Sequence, residues 1–179
     1  GAVLQLMNFN NPSITEETSM RVIYSQTARL FEAAAQCSGI LAGCTPEEEK
    51  GLQDYGRYLG TAFQLIDDLL DYNADGEQLG KNVGDDLNEG KPTLPLLHAM
   101  HHGTPEQAQM IRTAIEQGNG RHLLEPVLEA MNACGSLEWT RQRAEEEADK
   151  AIAALQVLPD TPWREALIGL AHIAVQRDR

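Results

Sequence analysis

Three aspartates within one apolar stretch are the residues best suited to chemistry in this sequence. Asp67, Asp68 and Asp71 lie in FQLIDDLLD, residues 63–71, among leucine and isoleucine side chains that favour burial. On an α-helix, Asp67 and Asp71 are four residues apart and share a face, with Gln64 one turn before Asp67 on the same side. Carboxylates at this spacing repel one another, so the arrangement requires a positively charged partner.

A divalent cation is the partner that suits these residues best. A solvent-facing acidic stripe, the alternative interpretation, would gain nothing from three Asp residues, because Asp is a weaker helix former than Glu. Short carboxylates on a rigid helix supply the oxygen ligands that Mg²⁺ prefers, and Mg²⁺ commonly keeps waters and substrate phosphates as its other ligands. The run DYNADG at 71–76 also matches the first half of an EF-hand calcium loop, but Asn82 stands where that loop requires Glu. We therefore expect magnesium rather than calcium.

Two lysines follow the aspartates. Lys81 and Lys91 are the only Lys or Arg residues within 58–111, and each follows a glycine, which lets a ligand approach the backbone closely. A metal-bound diphosphate flanked by lysines would bring the Asp and Lys residues together in one cleft. For Lys91 an alternative role is equally well supported, an ion pair with Asp85 or Asp86 that closes the loop.

Helices must position these side chains. Thr-Pro pairs at Thr45, Thr104 and Thr161 mark three helix starts, because Thr caps a helix and Pro suits its first position. Ser13, followed by Glu16, indicates a fourth start. Apolar residues recur at helical spacing, without an alternating β pattern, which predicts an all-α fold. We expect helices at about 14–42, 46–73, 93–102, 105–117, 121–133, 137–155 and 162–176.

The segments between and beside these helices carry further expectations. Residues 73–91 are polar and rich in glycine, so we expect a loop or broken helix rather than a packed element. The run AEEEADK at 144–150 is predicted to be a solvated helix face. The first residues, GAVLQLM, are apolar and compatible with a helix but have no cap before them. We therefore expect the chain to be part of a longer protein.

Composition limits the classes of partner. Lys+Arg 14 against Asp+Glu 27 gives a formal net charge of -13, which disfavours binding to nucleic acid or to anionic membrane surfaces. No apolar run is long enough to span a bilayer. The spacing of the three cysteines suits neither a disulfide nor a metal site, so we expect reduced, buried thiols in a cytoplasmic protein.

The combined run of FQLIDDLLD and GKNVGDDLNEGKPTLPLL, residues 80–97, resembles the second aspartate-rich motif of the trans-isoprenyl diphosphate synthase family and its sequel. The likeness extends along essentially all 179 residues and is greatest to the bacterial members that make the ubiquinone side chain. It implies an all-α isoprenoid synthase helical bundle, of which residues 1–179 would form the C-terminal part. It also implies a homodimer, and within the fold two aspartate-rich motifs that face each other across a cavity, with Mg²⁺ bridging them to a diphosphate. The implied substrates are an allylic diphosphate and isopentenyl diphosphate, joined to lengthen the chain by five carbons.

The resemblance also implies roles for individual residues. Asp67 would be the chief metal ligand, with Asp68 and Asp71 supporting it directly or through water. We expect a catalytic function for Asp67, Asp68 and Lys81. The residues expected to contact the substrate diphosphate are Gln26, Thr27, Gln64, Lys81 and Lys91.

Two departures from the family pattern bear on activity. Gln26 stands where the family has the Lys of a Lys-Thr pair, so a cation that would hold the allylic diphosphate is absent. The first aspartate-rich motif and the cations for isopentenyl diphosphate lie upstream in the family and are missing here, so we expect the isolated chain to be inactive. The alternative function is a noncatalytic partner subunit of a heteromeric prenyl synthase. The intact aspartate motif disfavours that alternative, because a silent subunit has no need of rigid paired carboxylates.

Overall fold

Helices make up the regular structure of this protein. A computed structural model describes residues 8–73 and 83–177, and these residues form helices and no β-strand. A π-helical turn spans Tyr24–Ala28, and 3₁₀ turns occur at Gly120–Leu123 and Leu155–Val157. The predicted all-α fold is confirmed. The α-helices are α1 Glu16–Ile23, α2 Arg29–Leu41, α3 Pro46–Leu70, α4 Asp85–Glu89, α5 Leu94–His102, α6 Pro105–Gln117, α7 Leu124–Cys134, α8 Ser136–Ala154 and α9 Pro162–Gln176.

Cap hydrogen bonds confirm three of the four predicted helix starts. The hydroxyls of Thr45, Thr104 and Thr161 each accept a hydrogen bond from the backbone N–H three residues later, at 3.2, 3.2 and 3.3 Å. The prediction for Ser13 is wrong. The hydroxyl of Thr15 caps α1 instead, accepting from the N–H three residues later at 3.1 Å. The two residues offer the same hydroxyl chemistry, so the sequence alone does not decide between them.

The segment predicted to be unpacked, residues 73–91, is packed in its second half. There α4 forms, and its Leu87 is completely buried in the core. Glycines in the left-handed conformation bound the helix, Gly84 at φ 86° and Gly90 at φ 70°. The glycines that indicated a loop are therefore the two ends of a short helix.

The first compact unit comprises residues 8–22, 67–73 and 83–140 of the described chain. Its core packs Tyr72 and Leu87 against the apolar faces of α5, α6 and α7. Helix α5 is buried from Leu94 to Met100, so it forms the centre of the unit. Tyr72, which directly follows Asp71, therefore anchors the end of the aspartate motif in a hydrophobic core.

The second compact unit comprises residues 23–66 and 141–177. Its core joins Leu52, Tyr55 and Leu59 of α3 to buried residues of α8, α9 and the 3₁₀ turn between them. Helix α2 lies very close to α3, because a Cβ built at Gly56 would stand 2.4 Å from a backbone oxygen of α2. Since the boundary between the units falls after Ile66, the aspartates and Gln64 belong to different units.

Two predictions of exposure are wrong in part. The run AEEEADK is solvated on one side only, because Ala144, Glu147 and Ala148 are buried. The three cysteines are free, but none is buried, because Cys37 is exposed and Cys44 and Cys134 are partly exposed. Over the described ranges, no helix has the length and apolar character that crossing a bilayer would require.

Candidate active site

The three aspartates lie at the end of α3. Asp67 and Asp68 are in its last turn, and Asp71 follows directly after it. The N–H of Asp71 donates to the carbonyl of Asp67 at 3.3 Å, so the helical four-residue spacing continues past the helix end. Asp67 is half-buried, whereas Asp68 is 4% and Asp71 7% exposed. A solvent-facing stripe is therefore excluded for Asp68 and Asp71.

Asp71 links the aspartate motif to α4. Its Oδ2 accepts a hydrogen bond from the backbone N–H of Asp86 at 3.0 Å, and its carbonyl accepts from the N–H of Gly84 at 2.9 Å. A carboxylate at the first turn of a helix satisfies a backbone donor and favours the positive end of the helix dipole. Asp71 thus has a structural role that sequence analysis missed, although the run GDD at 84–86 has the composition of a helix start.

Negative charge is concentrated around the buried side chain of Tyr72. Burial, followed by the carboxylates of Asp86 and Asp71, raises the pKa of Tyr72 well above its ordinary value of 10. The phenol therefore stays neutral and adds no charge of its own. A cation bound near these carboxylates would reduce the repulsion between them.

Of the two lysines, the structure describes only Lys91. Lys81 lies outside the described residues. Lys91 is half-buried, and its backbone N–H donates to the carbonyl of Asp86 at 2.9 Å. Asp85 forms its ion pair with Arg121, and the ammonium group of Lys91 has no ion pair within 8–73 and 83–177. The predicted loop-closing pair of Lys91 with Asp85 or Asp86 is therefore wrong, and the binding of diphosphate by Lys91 stays a prediction.

The aspartates by themselves do not complete a metal site. In the part of the chain that the structure describes, no group of three or more His, Cys, Asp or Glu side chains is placed to hold a metal ion. Adjacent residues of a helix point about 100° apart, which separates the carboxylates of Asp67 and Asp68. The donors are nonetheless hard oxygens, the type that Mg²⁺ combines with waters and phosphates. The later positions of the EF-hand-like pattern, Asp75, Gly76 and Asn82, lie outside the described residues.

In the second unit, two predicted substrate residues meet. Thr27 Oγ1 donates a hydrogen bond to Gln64 Oε1 at 3.0 Å. Gln26 and Thr27 both lie in the π-helical turn, a rare conformation that occurs frequently at functional sites. Sequence analysis predicted one uninterrupted helix here, because the apolar spacing does not reveal one extra residue in a turn.

A buried acid supports this turn, and sequence analysis missed it. Tyr24 Oη donates to Glu147 Oε1 at 3.2 Å, and Lys150 Nζ donates to the same oxygen at 3.2 Å. Burial and the carboxylate of Glu147 raise the pKa of Tyr24 to about 12, so the phenol remains a donor at neutral pH. Glu147 could not be recognised from the sequence because it lies in AEEEADK, whose composition is typical of a solvated surface.

Comparison with known proteins identifies the family. A family model described as Polyprenyl synthetase matches residues 1–131. The chain belongs to the polyprenyl synthetase family. The resemblance recognised in the aspartate motif and its sequel is thereby confirmed.

Relatives within the polyprenyl synthetase family are close in sequence. The chain is 96% identical over 179 residues to octaprenyl diphosphate synthase of Escherichia coli (strain K12), covering 100% of this chain and 55% of that protein. The chain thus spans about half the length of this relative. The predicted likeness to the bacterial family members that make the ubiquinone side chain agrees with this similarity.

Solved structures of polyprenyl synthetases share the fold. A polyprenyl synthase from Caulobacter crescentus CB15, complexed with calcium and isoprenyl diphosphate, matches with a TM-score of 0.92 and 40% identity, over 99% of this chain and 55% of that one. A geranylgeranyl pyrophosphate synthase from Corynebacterium glutamicum, complexed with isoprenyl diphosphate and magnesium, matches with a TM-score of 0.88 and 28% identity, over 98% and 51%. The chain therefore has the all-α isoprenoid synthase fold.

Proposed function

We propose that this chain is the C-terminal part of a trans-polyprenyl diphosphate synthase that adds isopentenyl diphosphate units to an allylic diphosphate. The proposed reaction extends farnesyl diphosphate to octaprenyl diphosphate, the precursor of the ubiquinone side chain. The observation that carries the proposal is the burial of Asp68 and Asp71 beside the half-buried Asp67, in a chain 96% identical to an octaprenyl diphosphate synthase.

The chemistry requires a diphosphate to leave and an allylic cation to be attacked by the double bond of isopentenyl diphosphate, with loss of a proton. Bound Mg²⁺ would neutralise the charge that develops on the leaving diphosphate. Asp67 is the proposed chief ligand, supported by Asp68 and Asp71. Lys81 and Lys91 are the proposed cations beside the diphosphate, and such fixed charges favour the transition state in a pocket with little water.

The residues present fit magnesium as a shared site. Their donors are carboxylate oxygens, and two of the three are buried, which favours a bound cation. The described residues lack a complete ligand set, which agrees with a site that a second aspartate-rich motif completes. We propose that this motif lies in an N-terminal part absent from residues 1–179, and that the isolated chain is inactive.

The hydroxyl of Thr27 and the amide of Gln64 are proposed to contact the allylic diphosphate or the region of the reacting carbons. Their 3.0 Å hydrogen bond fixes the rotamers of both side chains. Gln26 is proposed to contribute a neutral donor where related enzymes have a Lys. A homodimer and a cytoplasmic location complete the proposal.

A hybrid enzyme tests this function. In the hybrid enzyme, residues 1–179 replace the matching 55% of E. coli octaprenyl diphosphate synthase, and the remaining 45% comes from the E. coli enzyme. We expect the hybrid enzyme, with Mg²⁺, farnesyl diphosphate and isopentenyl diphosphate, to form a C40 product, and residues 1–179 alone to form none. A folded hybrid enzyme without turnover would refute the proposal, and turnover by residues 1–179 alone would refute its claim of incompleteness.

Calorimetry separates this function from that of a noncatalytic partner subunit. The proposed synthase binds an allylic diphosphate in a Mg²⁺-dependent manner, and a structural partner has no reason to do so. The titration is performed on the hybrid enzyme with and without chelator. Absence of Mg²⁺-dependent binding would favour the partner subunit.

A further inference from the structure

The π-helical turn at Tyr24–Ala28 needs a cause outside its own backbone. A π turn contains one more residue than the α-helical path and is rare, whereas α1 and α2 on either side are regular. One residue corresponds to about 100° of rotation around a helix axis. If the turn reverted to α-helix, the side chains before it and after it would therefore change their relative direction by about 100°. Some contact must hold the turn open.

Glu147 provides that contact. Glu147 is 5% exposed, and its Oε1 accepts hydrogen bonds from Tyr24 Oη and Lys150 Nζ, both at 3.2 Å. Its Oε2 is buried and accepts no hydrogen bond from the described residues. A carboxylate with so little exposure is costly unless paired, so its bond to Tyr24 holds the first residue of the turn firmly.

The same turn carries the predicted substrate residues. Gln26 and Thr27 follow Tyr24 by two and three positions, and Thr27 Oγ1 reaches Gln64 Oε1 at 3.0 Å. A shift of register at Tyr24 would rotate Thr27 away from this bond. We propose that Tyr24 and Glu147 are positioning residues, which hold the π turn so that Gln26 and Thr27 contact the allylic diphosphate. This inference rests on the proposed function, and it adds two residues that touch neither substrate nor metal.

The second unit offers a matched control. Tyr55 is buried, and its hydroxyl donates to the carbonyl of Leu167 in α9 at 2.8 Å. Tyr24→Phe and Tyr55→Phe each remove one phenol hydroxyl that donates a long-range hydrogen bond, to a carboxylate in the first case and to a backbone carbonyl in the second, but only Tyr24 lies in the π turn. A purely structural effect predicts similar consequences for both variants, and a positioning effect predicts different ones.

The experiment uses the hybrid enzyme with two readouts. One is KM for farnesyl diphosphate and for isopentenyl diphosphate, and the other is the NMR signal of the Thr27 methyl group. We expect Tyr24→Phe to raise KM for farnesyl diphosphate about tenfold, the factor that corresponds to a contact worth about 1.4 kcal/mol. KM for isopentenyl diphosphate should stay unchanged, and the Thr27 signal should move.

Glu147→Gln keeps the shape of the side chain and an acceptor oxygen for Tyr24, so we expect a smaller rise in KM for farnesyl diphosphate, of about threefold. Tyr55→Phe should lower the melting temperature without changing either KM or the Thr27 signal. An unmoved Thr27 signal in Tyr24→Phe, or equal rises of both KM values, would overturn the inference. If Tyr24→Phe does not fold, Glu147→Gln decides by the same two readouts. An inactive unmodified hybrid enzyme would refute the proposed function instead, and the Thr27 signal would still decide the role of Tyr24.

Discussion

Gly56→Ala tests whether the close approach of α2 and α3 is as tight as the structure indicates. A Cβ at position 56 would lie 2.4 Å from the carbonyl oxygen of Phe31 and 2.9 Å from the Cβ of Ala35. Ordinary contacts begin about 1 Å further out, and the nearest atom belongs to the backbone, which cannot turn aside as a flexible side chain does. The two helices must therefore separate.

The expected loss of stability follows from two opposing contributions. Overpacking of this kind typically costs about 1–3 kcal/mol, and a backbone clash lies at the upper end. Replacing Gly by Ala within a helix contributes about 1 kcal/mol in the other direction. The net destabilisation is about 2 kcal/mol, which lowers the melting temperature of a chain of this size by about 4–8 °C.

Gly169→Ala is the matched control. Gly169 lies within α9 of the same unit, and a Cβ there would meet no atom within 4 Å. Only the gain in helix propensity applies, so we expect stabilisation of up to about 1 kcal/mol and a melting temperature about 2–4 °C higher. Thermal unfolding of both variants is followed by circular dichroism. A Gly56→Ala chain as stable as the unmodified chain would refute the tight contact, and equal shifts of both variants would refute the argument from space.

Three further predictions concern the site, a buried histidine and a helix cap. Asp67→Ala in the hybrid enzyme should lower kcat/KM roughly 10²–10⁴-fold, and near-normal steady-state activity would contradict its role as metal ligand. Burial, with His102 next, lowers the pKa of His98, so its protonation favours the unfolded chain. The contribution of His98 to stability is therefore complete above its unfolded pKa of about 6.5 and declines as the pH falls below that value. When the free energy of unfolding is measured with urea between pH 5 and 7, it should change more steeply with pH for the unmodified chain than for His98→Gln. Thr104→Ala removes the cap of α6 and should cost about 1 kcal/mol by urea denaturation, and an unchanged midpoint would contradict the capping role.

Local features of the chain could be predicted because their causes are local. A Thr-Pro pair caps a helix through atoms three residues apart, so Thr45, Thr104 and Thr161 were recognisable without knowledge of the fold. Helical periodicity gave the all-α class for the same reason. The types and spacing of Asp67, Asp68 and Asp71 likewise indicated a cation-binding motif, and the family comparison confirms the resemblance.

Features that depend on distant residues could not be predicted. Leu87 is buried because α5, α6 and α7 enclose it, although the composition around it resembles that of a loop. Asp71 caps α4 because the chain returns to it after fifteen residues. This second role could not be inferred from the motif at 63–71 that contains Asp71.

The π turn illustrates the division most clearly. The amino-acid sequence by itself determined that α1 and α2 are helical, and its resemblance to the family made Thr27 a candidate substrate-contacting residue. Only the tertiary structure decided that an extra residue is accommodated between them, because Tyr24 bonds to Glu147, 123 residues away. Burial of that carboxylate depends on packing, and packing is set by contacts between distant segments rather than by neighbours in the chain.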